Sequence, residues 1–174
     1  MTPAELEAAY VIEPLSGQHD RKVFACGKEP LDRYLREHAT QDAKRHMAAT
    51  FVAVPTRSRV VAGYYGLSAT GVDATDFPPD ITRRLPRYPR LPATLLARLA
   101  VDRTHAHRGL GEYLLVHALS RSLVQSAEIA SMVVLVDAID EEAAAFYRKY
   151  EFISFPNKPL SLYLPTASIV RRVS

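Results

Sequence analysis

Between Ala93 and Leu164 the sequence alternates between strand and helix patterns, and this alternation restricts the fold more than any other feature. Runs of aliphatic and β-branched residues predict strands at 93–101, 131–138, 151–155 and 160–164. The segments between them are helical in pattern: leucines recur every four residues within 109–127, and acidic residues fill the first turn of 140–150. This order is typical of an α/β core.

The first half of the chain predicts an antiparallel hairpin beside that core. Residues 49–54 and 59–70 are β-rich and flank the turn sequence PTRSR, and residues 9–15 predict an opening strand. Between them, residues 20–46 predict one or two helices with Leu31, Tyr34, Leu35 and His38 on one face. The predicted fold class is therefore α/β, a mixed central sheet with an N-terminal antiparallel hairpin and helices on both faces.

Length and composition predict a single domain over residues 1–174, since 48% of the residues are apolar and can supply one core. The first residues lack the basic and apolar regions of a signal peptide, and no apolar run has the roughly 18 residues of a membrane span. The single cysteine, Cys26, cannot form an internal disulfide and is expected to be a small, half-buried apolar residue. We therefore expect a cytoplasmic protein.

Positive charge is concentrated in one segment. Residues 83–108 contain seven arginines and one acid, a local charge of +6 in a chain whose net charge is +3. Four of these arginines, Arg83, Arg84, Arg87 and Arg90, lie in a proline-punctuated stretch that predicts a functional loop with extended backbone. The segment favours a phosphate-rich ligand, a nucleic acid or an acidic partner, although a merely solubilising role would produce the same pattern.

The sequence HRGLGEYLL, residues 107–115, places two glycines directly before the long helix. A P-loop would need Gly-Lys-Ser/Thr here, and a dinucleotide fold would need a third glycine where Leu114 stands. A helix N-terminus with free N–H groups and Arg108 beside it remains, and this arrangement suits the pyrophosphate of coenzyme A.

The segment LARLAV–AHRGLG–EYLLVHAL resembles the central signature of the GNAT (Gcn5-related N-acetyltransferase) family. The resemblance implies an acetyl-CoA site made by the strand residues Leu99, Ala100 and Val101 and by the loop and helix residues His107, Arg108, Gly109, Leu110, Gly111 and Glu112. It also implies a role for Tyr147, which lies on the helix after the next strand. The chain departs from the family pattern at Ala106, where the family has Gln or Arg, and at Glu151, where it has Gly.

Longer stretches resemble one group within that family, the GNAT toxins of type II toxin–antitoxin pairs. These stretches are FACGKEPLDRYLREHATQD, VVAGYYGLS, YPRLPATLLARLAVD and VDAIDEEAAAFY. The resemblance implies acetylation of the α-amino group of aminoacyl-tRNA, a block of translation, a ribbon-helix-helix antitoxin as partner, and a homodimer.

Within that resemblance the main-chain N–H of Val101 polarises the thioester carbonyl and the Tyr147 hydroxyl protonates the leaving thiolate. Arg83, Arg84, Arg87 and Arg90 are expected to contact tRNA, whereas Arg98 is either a substrate contact or a paired structural charge. No metal site is expected. Two alternatives stay open: an acetyltransferase of small-molecule or protein amines, and a non-catalytic nucleic-acid-binding module.

Overall fold

The computed structural model of the chain describes residues 1–173. Seven strands form one mixed sheet in the order β1-β2-β3-β4-β5-β7-β6. The strands are β1 (Tyr10–Pro14), β2 (Ala49–Pro55), β3 (Gly63–Asp73), β4 (Arg90–Val101), β5 (Val133–Asp137), β6 (Ile153–Phe155) and β7 (Lys158–Pro165). The helices are α1 (Pro3–Ala9), α2 (Glu29–Arg33), α3 (Ala39–Lys44), α4 (Pro79–Thr82), α5 (Leu110–Gln125), α6 (Glu141–Lys149) and α7 (Thr166–Val173). The predicted α/β fold class, with helices on both faces of the sheet, is confirmed.

The chain divides into two compact units. The first comprises Met1–Ser68 and Arg98–Ala118, and the second comprises Ala69–Ala97 and the residues from Leu119 onward. That the whole chain acts as one domain stays a prediction. Within the described residues no helix is long and apolar enough to span a lipid bilayer.

The first unit contains the antiparallel strands β1, β2 and the start of β3, with pairs such as Val11↔Val54 and Phe51↔Tyr65. Its core is a set of buried side chains from strands and helices: Phe24, Tyr34, Leu35, Ala39, Val52, Val54, Val61, Tyr64 and Ala100. Gly63 allows α5 to pack closely, because a Cβ there would lie 2.8 Å from a Leu114 methyl group.

The helical face predicted from Leu31, Tyr34, Leu35 and His38 is partly wrong. A π-helical turn, Tyr34–His38, separates α2 from α3 and adds a residue to the repeat. His38 is therefore exposed and Ala39 is buried in its place. An amphipathic pattern with a regular period cannot reveal such an insertion.

Asp32 fixes the loop that precedes α2. Its carboxylate is buried and accepts a hydrogen bond from the Cys26 main-chain N–H at 2.8 Å. Cys26 is half-buried, and its Sγ donates to the Lys28 carbonyl at 3.6 Å. Burial, and then the interaction of the thiol with the Asp32 side chain, raises the pKa of the Cys26 thiol to about 11. The expectation of a half-buried small side chain is confirmed by the exposure of Cys26.

Asp102 joins the end of β4 to the loop at Ala25. Its carboxylate accepts hydrogen bonds from the Ala25 N–H at 3.0 Å, from the Thr104 N–H at 2.9 Å and from the Thr104 hydroxyl at 2.6 Å. The Arg103 N–H donates to the Ala25 carbonyl at 2.9 Å. Burial opposes ionisation of Asp102, but these hydrogen bonds outweigh it and lower the pKa of the carboxyl.

In the second unit β4 and β5 run parallel and β5, β7 and β6 are antiparallel neighbours. The core consists of Val72, Phe77, Leu91, Ala93, Val133, Phe155 and Tyr163. Within the proline-rich loop, residues 74–76 form a single-turn 3₁₀ helix, residues 79–82 form α4, and residues 90–92 already belong to β4. Residues 77–78 and 83–89 are irregular as expected, but the expectation of extended backbone is wrong at Arg83, whose φ of -64° and ψ of -23° are helical.

Helix α6 ends at a position where the family pattern has glycine and this chain has Glu151. Glu151 adopts a left-handed backbone conformation with φ of 70°, and the Phe152 N–H donates to the Tyr147 carbonyl at 3.2 Å. This geometry closes the helix in the way that glycine usually does, at the energetic cost of a Cβ in the left-handed region.

We expect Glu151→Gly to raise the free energy of unfolding by about 0.5–1 kcal/mol, because glycine adopts this backbone conformation without a Cβ clash. Urea denaturation measures the change. Glu142→Gly, within the first turn of the same helix, should lower the free energy of unfolding by about 1 kcal/mol. A loss of stability in Glu151→Gly would show that the side chain, rather than the backbone, determines this turn.

We expect Asp102→Asn to lower the free energy of unfolding by about 1–3 kcal/mol near neutral pH, since an amide cannot accept these three hydrogen bonds equally well. The folded-state pKa is depressed, so this stabilisation is present above the unfolded-state pKa of about 3.9 and is lost as the pH falls through the folded-state value. The difference in the free energy of unfolding between wild type and variant should therefore narrow below about pH 4.

Asp73→Asn, which removes an exposed ion pair with Arg90, is the control and should change the free energy of unfolding by less than about 1 kcal/mol. Equal effects at both sites would contradict the anchoring role.

Candidate acetyl-transfer site

The predicted loop residues follow directly on the Asp102 anchor. A 3₁₀ turn, Arg103–His105, leads into two residues with left-handed backbone, His107 with φ of 61° and Gly109 with φ of 89°. A Cβ on Gly109 would lie 3.4 Å from a Leu6 methyl group. The glycine is thus required by its backbone conformation, and α1 packs directly beneath it.

The N-terminus of α5 begins one residue later than predicted, at Leu110. The Tyr113 N–H donates to the Gly109 carbonyl at 3.0 Å, which is the first hydrogen bond of the helix. The N–H groups of residues 110–112 therefore have no carbonyl one turn behind them within the helix. They form the type of donor set that binds an anionic group at a helix N-terminus.

Two side chains stabilise the turn before this loop. The Tyr10 hydroxyl and the His105 Nδ1 are 2.7 Å apart, and their rings pack edge to face at 5.6 Å. Burial and the nearby Arg108 lower the pKa of His105, so the imidazole is neutral at pH 7 and can share this hydrogen bond. Arg108 itself donates to the Thr104 carbonyl at 3.0 Å and is exposed.

The strand residues Leu99 and Val101 are half-buried and Ala100 is buried. The parallel pairs between β4 and β5 end at Leu96↔Val136, whereas β4 continues to Val101. Five residues of β4 thus extend beyond its pairing with β5. A strand that outruns its parallel neighbour offers main-chain groups to an extended ligand.

Tyr147 lies on α6, whose N-terminus is capped by Asp140 through a 2.9 Å hydrogen bond from the Ala143 N–H. Its side chain is 6% exposed and its ring meets Phe146 and Phe152 edge to face. Burial raises the pKa of Tyr147. The hydroxyl is therefore protonated throughout the physiological range and is available as a hydrogen-bond donor, with no hydrogen-bond partner among residues 1–170.

The arginines fall into two environments. Arg83, Arg84 and Arg87 are exposed in the irregular loop, whereas Arg90 is paired with Asp73 at 2.9 Å and also donates to the Gly71 carbonyl. Arg98 lies over the ring of Tyr34, with 3.4 Å between its Cζ and the ring centroid. Arg98 and residues 99–101 and 107–112 belong to the first unit, and Tyr147 and the loop arginines belong to the second.

Sequence reasoning missed three residues that organise these segments. Asp102 had a local signal, since Asp two residues before Thr is a common cap of a turn. Tyr10 had no local sequence signal, because its partner His105 is 95 positions away along the chain. Tyr34 was expected only as a core residue and is also the platform for Arg98.

Known proteins that are similar to this chain identify its family. The family described as FR47-like protein matches residues 87–158, which include β4, the glycine loop, α5, β5 and α6. A protein of Mycobacterium tuberculosis (strain ATCC 25618 / H37Rv) named tRNA-acetylating toxin is 36% identical over 150 residues, covering 86% of this chain and 88% of that protein.

Two solved structures are similar over nearly the whole chain. AtaT complexed with acetyl-methionyl-tRNAfMet is 27% identical, with a TM-score of 0.86 over 95% of this chain and 99% of that chain. A tyrosine-to-phenylalanine mutant of the toxin AtaT, bound to the C-terminus of the antitoxin AtaR and acetyl-CoA, is 25% identical, with a TM-score of 0.82 over 95% and 99% of the two chains. The chain therefore belongs to the GNAT family of N-acetyltransferases, in the group that contains these toxins.

Proposed function

We propose that this protein transfers the acetyl group of acetyl-CoA to the α-amino group of aminoacyl-tRNA and thereby blocks translation. The observation that carries the proposal is the 36% identity, over 86% of the chain, to a tRNA-acetylating toxin. The matched length includes β4, the glycine loop and α6, which hold the residues that such a transfer requires. The likeness to AtaT in complex with an acetylated aminoacyl-tRNA supports the same acceptor.

The donor site is formed by the end of β4 and the start of α5. The free N–H groups of residues 110–112, the left-handed backbone at His107 and Gly109, and the exposed Arg108 fit a pyrophosphate. The main chain of Leu99, Ala100 and Val101 would pair with the extended pantetheine arm. When it is bound, acetyl-CoA supplies the thioester that is attacked.

In the reaction the amine nitrogen forms a bond to the thioester carbon and the carbon–sulfur bond breaks, leaving a thiolate and a protonated amide nitrogen that loses one proton. The Val101 N–H is assigned to the developing oxyanion and Tyr147 to the leaving sulfur. A tyrosine whose pKa is raised by burial is a weak acid. Its contribution is thus a hydrogen bond that strengthens as charge develops on sulfur, with the proton following.

The acceptor amine needs little help to lose its proton. An α-amino group has a pKa of about 7.7–8.0, and the adjacent ester lowers it further, whereas a lysine amine titrates near 10.4. A substantial fraction of the α-amine is therefore neutral at physiological pH. This chemistry favours an α-amine over a lysine side chain at a site for which the sequence marks no general base.

The tRNA contact is assigned to the exposed arginines Arg83, Arg84 and Arg87. Arg90 is a weaker candidate for the tRNA contact, because its ion pair with Asp73 already neutralises part of its charge. Arg83 and Arg84 lie in the turn that ends α4, Arg87 follows in the irregular loop, and all three are exposed. They can therefore contact a phosphate backbone without reading bases.

We further propose a ribbon-helix-helix antitoxin and a second copy of this chain as partners, and the cytoplasm as the location, because charged tRNA is found there. The complex of AtaT with the C-terminus of the antitoxin AtaR supports an antitoxin partner. The ribbon-helix-helix class and the homodimer follow from the sequence resemblance.

Tyr147→Phe should lower kcat for acetylation of aminoacyl-tRNA by about 10²–10⁴-fold, because the ring is retained and the proton donor is lost. Since the Tyr147 hydroxyl has no hydrogen-bond partner among residues 1–170, the free energy of unfolding should be unchanged. Mass spectrometry of ribonuclease-digested charged tRNA, incubated with acetyl-CoA and each protein, detects the acetylated aminoacyl-adenosine. Tyr150→Phe on the same helix is the control. Unchanged turnover in Tyr147→Phe would exclude this tyrosine as the acid.

Reversing two loop charges, Arg83→Glu with Arg84→Glu, should raise the KM for tRNA roughly tenfold or more and reduce its salt dependence by about one phosphate contact for each arginine. The KM for acetyl-CoA should not change. The control carries the same charge change on the β2–β3 turn, Arg57→Glu with Arg59→Glu. Equal weakening of both substrates, or equal effects of both double variants, would contradict a specific tRNA contact.

A further inference from the structure

Arg98 differs from the other half-buried arginines of its unit. Arg21 donates to the Leu35 carbonyl at 3.0 Å, and Arg36 donates to the Phe24 carbonyl at 2.8 Å. The Arg98 guanidinium has no hydrogen-bond acceptor and no carboxylate partner among the residues that the structure describes; its contact is the Tyr34 ring. A half-buried cation with five unused N–H donors is costly unless an anion completes the site.

Tyr34 holds this guanidinium in place. Its ring is 5% exposed, and its hydroxyl donates to the Asp42 carboxylate at 2.8 Å. Burial and that hydrogen bond raise the pKa of Tyr34, so the ring stays neutral. The π-helical turn that begins at Tyr34 adds further fixed geometry, and such turns often occur at functional sites. The guanidinium is thus pre-ordered by a cation–π contact while its N–H edges remain unused.

The position of Arg98 on β4 is close to the reacting end of the donor site. Val101, whose N–H is assigned to the thioester carbonyl, lies three residues further along the strand, about 10 Å away in extended backbone. Arg98 and Ala100 alternate onto the same face, and Ala100 packs in the cluster that contains Tyr34. The anion that Arg98 binds therefore belongs near the acetyl group and not near the pyrophosphate loop at residues 107–112.

We propose that Arg98 binds the phosphodiester that joins the terminal adenosine of aminoacyl-tRNA to the preceding nucleotide. The proposal rests on the acceptor assigned under Proposed function. The aminoacyl-adenosine itself has no negative charge, so this phosphodiester is the anion closest to the reacting amine. A planar guanidinium matches a phosphate with two parallel hydrogen bonds, and binding there would fix the aminoacyl ester beside the thioester.

The test compares two minimal acceptors that differ in this phosphate: an aminoacyl ester of adenosine and the same aminoacyl ester of the dinucleotide CpA. With wild type, the dinucleotide should have the lower KM. Arg98→Lys keeps the charge but loses the planar fork and the stacking on Tyr34, and should raise the KM for aminoacyl-CpA roughly tenfold. Arg98→Met should raise it further. The KM for aminoacyl-adenosine and the KM for acetyl-CoA should stay within about twofold.

Arg33→Lys and Arg33→Met are the matched controls, since Arg33 is exposed and its ion pair with Glu29 is 3.9 Å long. Val54→Ala, in the core cluster that contains Tyr34, should leave the KM for aminoacyl-CpA near that of wild type. It should lower the melting temperature, because it leaves a cavity in the core. This variant separates a loss of stability from a loss of phosphate binding.

Equal losses on aminoacyl-adenosine and aminoacyl-CpA in Arg98→Lys would overturn the phosphate assignment. A raised KM for acetyl-CoA would place Arg98 on the donor side instead, and unchanged kinetics with both acceptors would make it a structural residue. If wild type acetylates neither ester nor any charged tRNA, the proposed function fails and this inference fails with it. That outcome is distinct, because it is seen without any variant.

Discussion

The hydrogen bonds of the Asp102 carboxylate are the interactions on which the arrangement of the proposed donor site depends. The carboxylate accepts three hydrogen bonds at the point where β4 ends. Those bonds direct the chain into the turn that His105 and Tyr10 then hold, and from there into the left-handed residues before α5. Without them the turn between Val101 and the N-terminus of α5 would lose the only side chain that bonds both to this turn and to the loop at Ala25 among the hydrogen bonds described above. The geometry of the loop to which we assign pyrophosphate binding is therefore set in part by an acid that would not contact the anion.

Backbone conformation at this site is restricted in ways that side-chain chemistry does not reveal. Among residues 1–173, four non-glycine residues have left-handed backbone: His46, Arg57, His107 and Glu151. His107 belongs to the predicted pyrophosphate loop, and Glu151 ends the helix that carries Tyr147. Strained positions persist where surrounding contacts determine them, and functional segments commonly contain them. Two of these four residues, His107 and Glu151, therefore lie in segments to which we assign a chemical role.

Much of the fold could be predicted because its second half has strong local periodicity. The strands and helices from β4 to β7 lie within about three residues of the predicted bounds, which is the usual precision for strongly periodic segments. The prediction failed where the helical period is interrupted. The π-helical turn buries Ala39 and leaves His38, the predicted buried residue, exposed. The helix α1 had a readable signal, the capping box of Thr2 and Glu5 with proline between them. The contacts of Tyr10 with His105 and of Tyr34 with Arg98 join distant parts of the chain, and no local pattern encodes them.

The environment of Cys26 has a practical consequence for labelling. A thiol with a pKa of about 11 is almost entirely protonated near neutral pH, and only the thiolate attacks maleimides or disulfides at a useful rate. Its sulfur is also half-buried and engaged with the Lys28 carbonyl. A cysteine introduced on an exposed helix surface would react far faster, so fluorophores or spin labels can be attached at a chosen position with the native cysteine left in place.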